Sequence, residues 1–482
     1  MSEQYTLAEF CRKRGITPEW LSSKDGHLKI DSRTKRLPDD ELIVGGDLEI
    51  QHAAFPKFPD RVVVGGSLMV DMCSLKEFPS YIEVKGSVSV RFSSFKRIHE
   101  QCIFRNRVAF VNCQLMEICD SYHVYGDLML LYCSLNTLPK GLVVDGCLSL
   151  VGSNIRRIPE DCRCKSLVAT KSKLESIPDN WSVEKLAISG CPVTQLPKGL
   201  RDLRNLDISY TQIREINEPY PNVHLNADWS QLQKLPDNWT PKYVSVRNCP
   251  IDTLPKAMSV RDFLDISGTD ITVIPDDCHV GRGIQACGSK LRHIPENFVL
   301  SSFLDVSGTG VSVIPANVIT KKIYCEPGVK VDAYRFQSSK AMDVHPNGQY
   351  IMCDGILAKL LERKGNVWRC MDLSNGQEHY MLTDGAGHYA HGKTIQLAKA
   401  DLRFKVSPRE MDQYQKLDLD ASLTFEEAYA CYRTITGACR YGVDQFIQSL
   451  PEVKASYTIR EVIALTKGQY GNMAFARFFR AV

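Results

Sequence analysis

What the chain of 482 residues lacks narrows it first. It has no long uninterrupted apolar run, which excludes a membrane-spanning helix. It has no excess of one charge: 59 Lys and Arg stand against 56 Asp and Glu, a formal net of +3. With no basic run or tail, the electrostatic footprint of a nucleic-acid binder is absent. The first residues, MSEQYTLAEFCRKRG, lack the apolar segment of a secretory signal. The expectation is a protein that is cytoplasmic in the producing cell. Any passage into a host cell would need a route without a cleaved signal peptide. Close CxxC pairs of the zinc type are missing as well, so the 18 cysteines read as reduced thiols.

What is there is a repeat. An apolar residue followed by Pro recurs from Leu37-Pro38 and Phe58-Pro59 to Ile294-Pro295 and Ile314-Pro315. Ile98, Ile118 and Ile216 keep the phase without Pro. The spacing of these marks is about 20 residues, which points to a solenoid of about fifteen units. Each unit opens with an apolar-x-apolar strand, such as Leu68/Val70, Leu128/Leu130 or Leu206/Ile208. Three residues on comes a small residue: Cys73, Cys113, Cys133, Ser172, Cys191, Thr211, Cys249 or Thr269 among others. A unit this short cannot bury its apolar face alone, so neighbours must stack and share a core. The small column should face inward and bond the turning backbone. The Pro marks suit an extended convex side.

Early units add Val-x-Gly, as in Val44-Gly45-Gly46 and Val64-Gly65-Gly66, which predicts a tight turn into the strand. Residues 1–25 predict a helical cap. Thr6 and Glu9 form a capping box, and Thr17-Pro18 opens a second helix whose Trp20 would cover the solenoid end.

This phrasing resembles the short leucine-rich repeat of enterobacterial type III secreted effectors, the YopM and IpaH groups, and of related phage and prophage proteins. The resemblance covers residues 27–322. It implies a solenoid of short strands with an extended convex side, binding a protein partner on its concave face.

Strand alternation sends Arg91, Phe92, Tyr132, Lys171, Tyr210, Asn226, Asp228, Trp229, Arg247 and Asn248 onto that face. Aromatics and Arg dominate interface hot spots, so Arg91, Phe92, Tyr132, Tyr210, Trp229 and Arg247 are the candidate partner-binding residues. Toward the end the face turns to Asp207, Asp265 and Asp305 with Ser and Gly.

After Pro315 the period fades, and residues 323–349 read as a junction. Residues 350–482 predict a small α+β domain, strands first and helices after. YIMCDG, ILAKLLER, VWRCMDLS and EHYMLTDG are the strands, separated by turn signals. Thr394 would cap a helix with Ile395, Ala398, Leu402 and Val406 on its apolar face. Thr424/Glu427 and Thr458/Glu461 are capping boxes for two more, with Gly breaks near 437 and near 468–471. The strand-to-helix order around Gly392, Thr394 and Ala398 loosely resembles the HicB-type antitoxin fold.

GHYAHGKT, residues 387–394, fits the phosphate-binding pattern G-x-x-x-x-G-K-T. A phosphate loop needs a parallel sheet and a later strand ending in Asp. Neither follows, so a turn into the Thr394-capped helix is expected instead. Cys370-Met371-Asp372 fits the C-x-D of the IpaH ubiquitin ligases, but inside a predicted strand. Cys439 or Cys353 could pair with His388 or His391 as a thiol enzyme. His388 and His391 with Cys370 could hold zinc, although turn histidines are usually exposed and unliganded. No cofactor and no metal is expected, and a binding protein with a protein partner leads. The rival is an effector enzyme, thiol-based or ubiquitin-ligase-like, whose repeats select the substrate.

Overall fold

The computed structural model describes residues 5–53, 55, 57–296, 298–336, 342–345, 348–450 and 452–480. It divides into two compact units. One comprises Met1–Val260, Leu264–Cys278 and Gly288–Lys290, the other Arg261–Phe263, His279–Cys287 and Leu291–Val482.

The first unit opens with two helices, α1 (Leu7–Lys13) and α2 (Pro18–Ser22). The Thr6/Glu9 capping box closes as expected, and Thr17 accepts from the Trp20 amide. The residues that seal the first turn differ from expectation. Phe10, Cys11 and Leu21 are buried, while Trp20 is 43% exposed.

Parallel strands then stack one unit apart. Leu28, Leu48, Leu68, Val88, Val108 and Leu128 pair in one unbroken register. The column continues from Leu128 through Leu148, Leu167, Leu186, Leu206, Leu225 and Val244 to Leu264. Every one of these side chains is almost fully buried. At about 25 cal/mol per Å², burying such a side chain contributes about 1.5–3 kcal/mol, and this column drives the stacking.

The inward column of small residues does its expected work. The thiols of Cys73, Cys113, Cys133, Cys191 and Cys249 donate to Ile50, Val90, Phe110, Ala169 and Ala227 carbonyls of the preceding turn. Thr211 and Thr269 donate to the carbonyls of Ile208 and Ile266.

Two features depart from the sequence reading. The side opposite the main ladder is not merely extended in the early turns, because Glu41–Val44, Arg61–Val64, Tyr81–Val84 and Cys102–Phe104 form a second parallel sheet. The Gly column there serves close approach rather than left-handed backbone. A Cβ on Gly65 would lie 2.2 Å from the Gly45 carbonyl oxygen, and one on Gly86 2.6 Å from Gly66.

The second unit holds the last solenoid strands, Gly283–Gln285, Phe303–Asp305 and Lys322–Tyr324, again parallel. Pairing runs on into the expected junction. Lys330–Val331 joins Val313–Ile314, and Tyr334–Arg335 joins Ile319–Thr320. A six-stranded antiparallel sheet follows in chain order: Met342–Val344, Tyr350–Cys353, Ile356–Lys364, Val367–Asp372, Glu378–Thr383 and Tyr389–Gly392.

Helices come after the sheet: α3 (Ile395–Val406), α4 (Phe425–Thr436), α5 (Arg440–Ser449), α6 (Ile459–Leu465) and α7 (Asn472–Phe478). Both later capping boxes form, and Gly437 ends α4 at φ +72°. Half of the apolar face expected for α3 holds: Ala398 is buried and Leu402 packs against the cluster of Ala390, Cys439 and Tyr441. Ile395 and Val406 are exposed instead, and the helix also buries Asp401. Asp401 is held inside by the Arg433 guanidinium at 2.8 Å, a partner 32 residues away that helical periodicity cannot reveal.

Candidate functional site

A residue just past the main-ladder strand, directly after it in early turns such as Leu68–Asp71 and three residues after it in later ones such as Asn205–Asp207, sits at positive φ. In nine turns of the first unit it is His52, Met72, Phe92, Asn112, Tyr132, Lys171, Tyr210, Trp229 or Asn248, with φ between 47° and 59°. Gly152, Gly190, Gly268 and Gly288 occupy the same place in other turns of that unit. The conformation is imposed by the ladder. Met72, Phe92, Tyr132, Tyr210 and Trp229 each donate their amide to a carbonyl of the following turn, such as Tyr132 to Val151 and Trp229 to Arg247.

Left-handed backbone costs a side-chain-bearing residue roughly 1–2 kcal/mol. Gly and Asn tolerate it, whereas Met72, Phe92, Tyr132, Lys171, Tyr210 and Trp229 do not. These six are also solvent-facing. Met72 is 51% exposed, Phe92 52%, Tyr132 56%, Tyr210 61% and Trp229 55%, and Lys171 is exposed. They form a ridge along the strand ends. Tyr210 stacks on Trp229 with ring centroids 6.4 Å apart and planes 6° apart. The Tyr132 ring leans over Gly152, where a Cβ would come within 2.3 Å of it.

The candidate arginines flank the ridge. Arg91 lies 3.5 Å from Asp71 and Arg247 3.6 Å from Asp265, both with their ends open to solvent. Asp228 accepts from the Ser245 hydroxyl and, at 3.1 Å, from the Arg247 amide. Asp207, Asp265 and Asp305 have a local task. Each accepts from the amide two residues on, at Ser209, Ser267 and Ser307. Sequence reading named Phe92, Tyr132, Lys171, Tyr210, Trp229 and Asn248 but missed Met72, and Met69 beside it, 40% exposed. The glycines recurring in that column were the available signal.

In the second unit the GHYAHGKT stretch contains a strand. Tyr389–Gly392 pairs antiparallel with Glu378–Thr383, so no phosphate loop forms. Thr394 caps α3 by accepting from the Leu397 amide. The two candidate histidines part company. His388 is exposed and bonds Asp384 at 2.6 Å, whereas His391 is fully buried. His391 is therefore no turn residue. Its Nδ1 lies 2.9 Å from Nε2 of His379, also fully buried, and the His379 ring stacks on Tyr441 at 4.7 Å.

Cys353 and Cys370 are fully buried strand residues, and Cys439 is the buried N-cap of α5. Burial pushes the Cys370 thiol up to about 12 and the Cys439 thiol up to about 11, and Cys353 is raised well above the ordinary thiol range. A thiolate nucleophile needs the opposite setting, partly exposed and electropositive. Cys370-Met371-Asp372 is thus a core strand; Asp372 caps the turn after it by accepting from Ser374. The Lys405 ammonium donates to both oxygens of buried Asp354 at 2.7 Å. Burial opposes the charge on Lys405, and Asp354 more than offsets it, so the proton stays on Lys405.

A cavity of about 330 Å³ opens within this unit, its wall including Arg282, Lys321, Asp354, Asp372 and Cys439 among aromatic side chains. No helix among the described residues is long and apolar enough to cross a membrane.

No known protein family and no curated protein matches the chain. Among solved structures it is similar to YopM from Yersinia enterocolitica WA-314. The identity is 15% and the TM-score 0.31, over 66% of this chain and 81% of that one. The leucine-rich-repeat-type solenoid described above stands on its own strand register.

Proposed function

We propose that the protein is a recognition scaffold whose partner, another protein, seats along the left-handed ridge of the first unit. The observation that carries this reading is the choice of residue at a strained position. Four turns place Gly there, at no steric cost. Six place a large exposed side chain there, together costing on the order of 6 kcal/mol or more. Whole domains are stable by only about 5–15 kcal/mol. Strain of that size at exposed residues adds nothing to the core and is expected at binding surfaces.

Tyr210, Trp229 and Arg247 form one patch, and Met69, Arg91, Met72 and Phe92 another. Strands about 4.8 Å apart spread the ridge from Met72 to Asn248 over roughly 40 Å, enough for a standard protein interface. The likeness of the repeat phrasing to secreted effectors supports, within the same proposal, a bacterial protein acting inside a host cell. The thiol-enzyme alternative loses ground because its cysteines are buried and held protonated.

The test is a photo-crosslinking amino acid placed at Tyr210, at Trp229 and, as a control, at exposed Glu117, in the full chain. One protein crosslinked from the first two positions and not the third supports the reading. The same protein crosslinked equally from Glu117 sinks it.

A further inference from the structure

Outside the ridge, one cluster in the second unit has chemistry that nothing above uses. A sulfur of Cys353, a carboxylate oxygen of Asp354 and a ring nitrogen of His391 all lie within 4.8 Å of one another. We propose that these three side chains hold a divalent transition-metal ion, zinc by the character of its donors. Of His388, His391 and Cys370, weighed for zinc from the sequence, this set contains His391 alone.

Four observations carry the proposal. The first is the donor set: thiolate, imidazole and carboxylate together suit zinc, and three protein ligands leave its fourth tetrahedral position free. The second is His391 itself. It is fully buried, and its Nε2 has no hydrogen-bond partner. A buried nitrogen left so costs about 1–3 kcal/mol. A metal bond at that nitrogen removes the cost.

The third is the support behind His391. Its Nδ1 is engaged with His379 Nε2 across 2.9 Å, so Nε2 is the nitrogen left to face an ion. Metal-bound histidines are held in this way by an outer partner. The fourth is access, because Asp354 lies in the wall of the 330 Å³ cavity, which offers a route in.

Lys405 does not block the site. It takes one acceptor position on each Asp354 oxygen, and each oxygen has a second. On binding, one proton leaves. The Cys353 thiol loses it to solvent as the sulfur–metal bond forms. The charges of ion, thiolate, carboxylate and Lys405 then sum to +1. Affinity should therefore fall as pH drops.

The experiment uses the full chain, stripped with chelator and titrated with Zn²⁺, and with Co²⁺ for its thiolate-to-metal charge-transfer absorption. Expected are one ion per chain, a charge-transfer band and one proton released. Cys353→Ser should abolish the band and weaken zinc by at least about tenfold. His379→Gln should keep the band and weaken binding about 10- to 100-fold. His388→Ala should change neither. Circular dichroism checks that each variant is folded. A folded wild type that takes up no zinc and shows no cobalt band overturns the proposal. So does undiminished zinc binding and an intact band in Cys353→Ser.

Discussion

Tyr210 and Trp229 lie in successive turns, stacked at 6.4 Å with their planes 6° apart, and each is more than half exposed on a backbone of positive φ, 55° and 59°. Stacking explains why the two rings are ordered together. It does not explain why rings stand where glycine would relieve the backbone. That separates stability from function at the same residues. Replacing Tyr210 by Gly should leave the unfolding free energy unchanged or raise it by up to about 1 kcal/mol. Urea denaturation followed by circular dichroism reads this. A loss of more than about 1 kcal/mol would mean that the ring is there for packing.

The glycine column of the early turns predicts the reverse behaviour. A methyl on Gly65 meets the Gly45 carbonyl oxygen at 2.2 Å, and neighbouring backbones cannot yield without parting the second sheet. Gly65→Ala should destabilise the first turns by about 2 kcal/mol or more. Hydrogen exchange of the amides of Arg61–Val64 should accelerate accordingly.

Arg433 and Asp401 form a nearly buried pair at 2.8 Å. Arg433→Met leaves an uncompensated carboxylate and should cost about 3–5 kcal/mol. Adding Asp401→Leu should recover part of that loss. A double-mutant cycle with no coupling would show that the pair is incidental.

Thiol reactivity should follow burial. Cys287 is exposed, while Cys353, Cys370 and Cys439 are buried. A thiol near 11 is about one part in ten thousand thiolate at pH 7. Iodoacetamide followed by peptide mass spectrometry should label Cys287 first and those three only on unfolding. Rapid labelling of Cys439 at neutral pH would revive the thiol enzyme.

Lys321 supplies a pH test. Burial lowers its amine to about 8, with Asp372 working against the shift and Arg282 adding to it. The unfolded chain holds this proton more tightly, so its charge opposes folding below pH 8, and the opposition fades between about pH 8 and 10.5. Lys321→Met should therefore be the more stable protein at pH 7, with the advantage shrinking across that window. Hydrogen exchange in the strand Tyr350–Cys353 measures it.

The contrast between these sites shows what sequence can carry. The ladder was legible because its signal is local and repeated: each unit restates the same apolar pair and inward small residue, so Cys73 and Cys249 declare the same place in the fold. The ridge was half legible. Alternation pointed to Phe92 and Trp229, but their left-handed backbone is imposed by pairing between turns. His391 was misplaced because His-Tyr-Ala-His-Gly has the composition of a loop, and only pairing with Glu378–Thr383 makes it a strand. The inward turn of Asp401 and the meeting of Cys353, Asp354 and His391 depend on partners tens of residues apart, and no local period records them.

The most direct test of the account compares wild type with the Tyr210→Gly/Trp229→Gly double variant. Each is titrated by calorimetry with the protein that crosslinks at those positions, and their urea midpoints are measured alongside. The account predicts at least about 30-fold weaker binding, a loss of about 2 kcal/mol or more, with a midpoint no lower than wild type. Undiminished affinity in a folded double variant would contradict it.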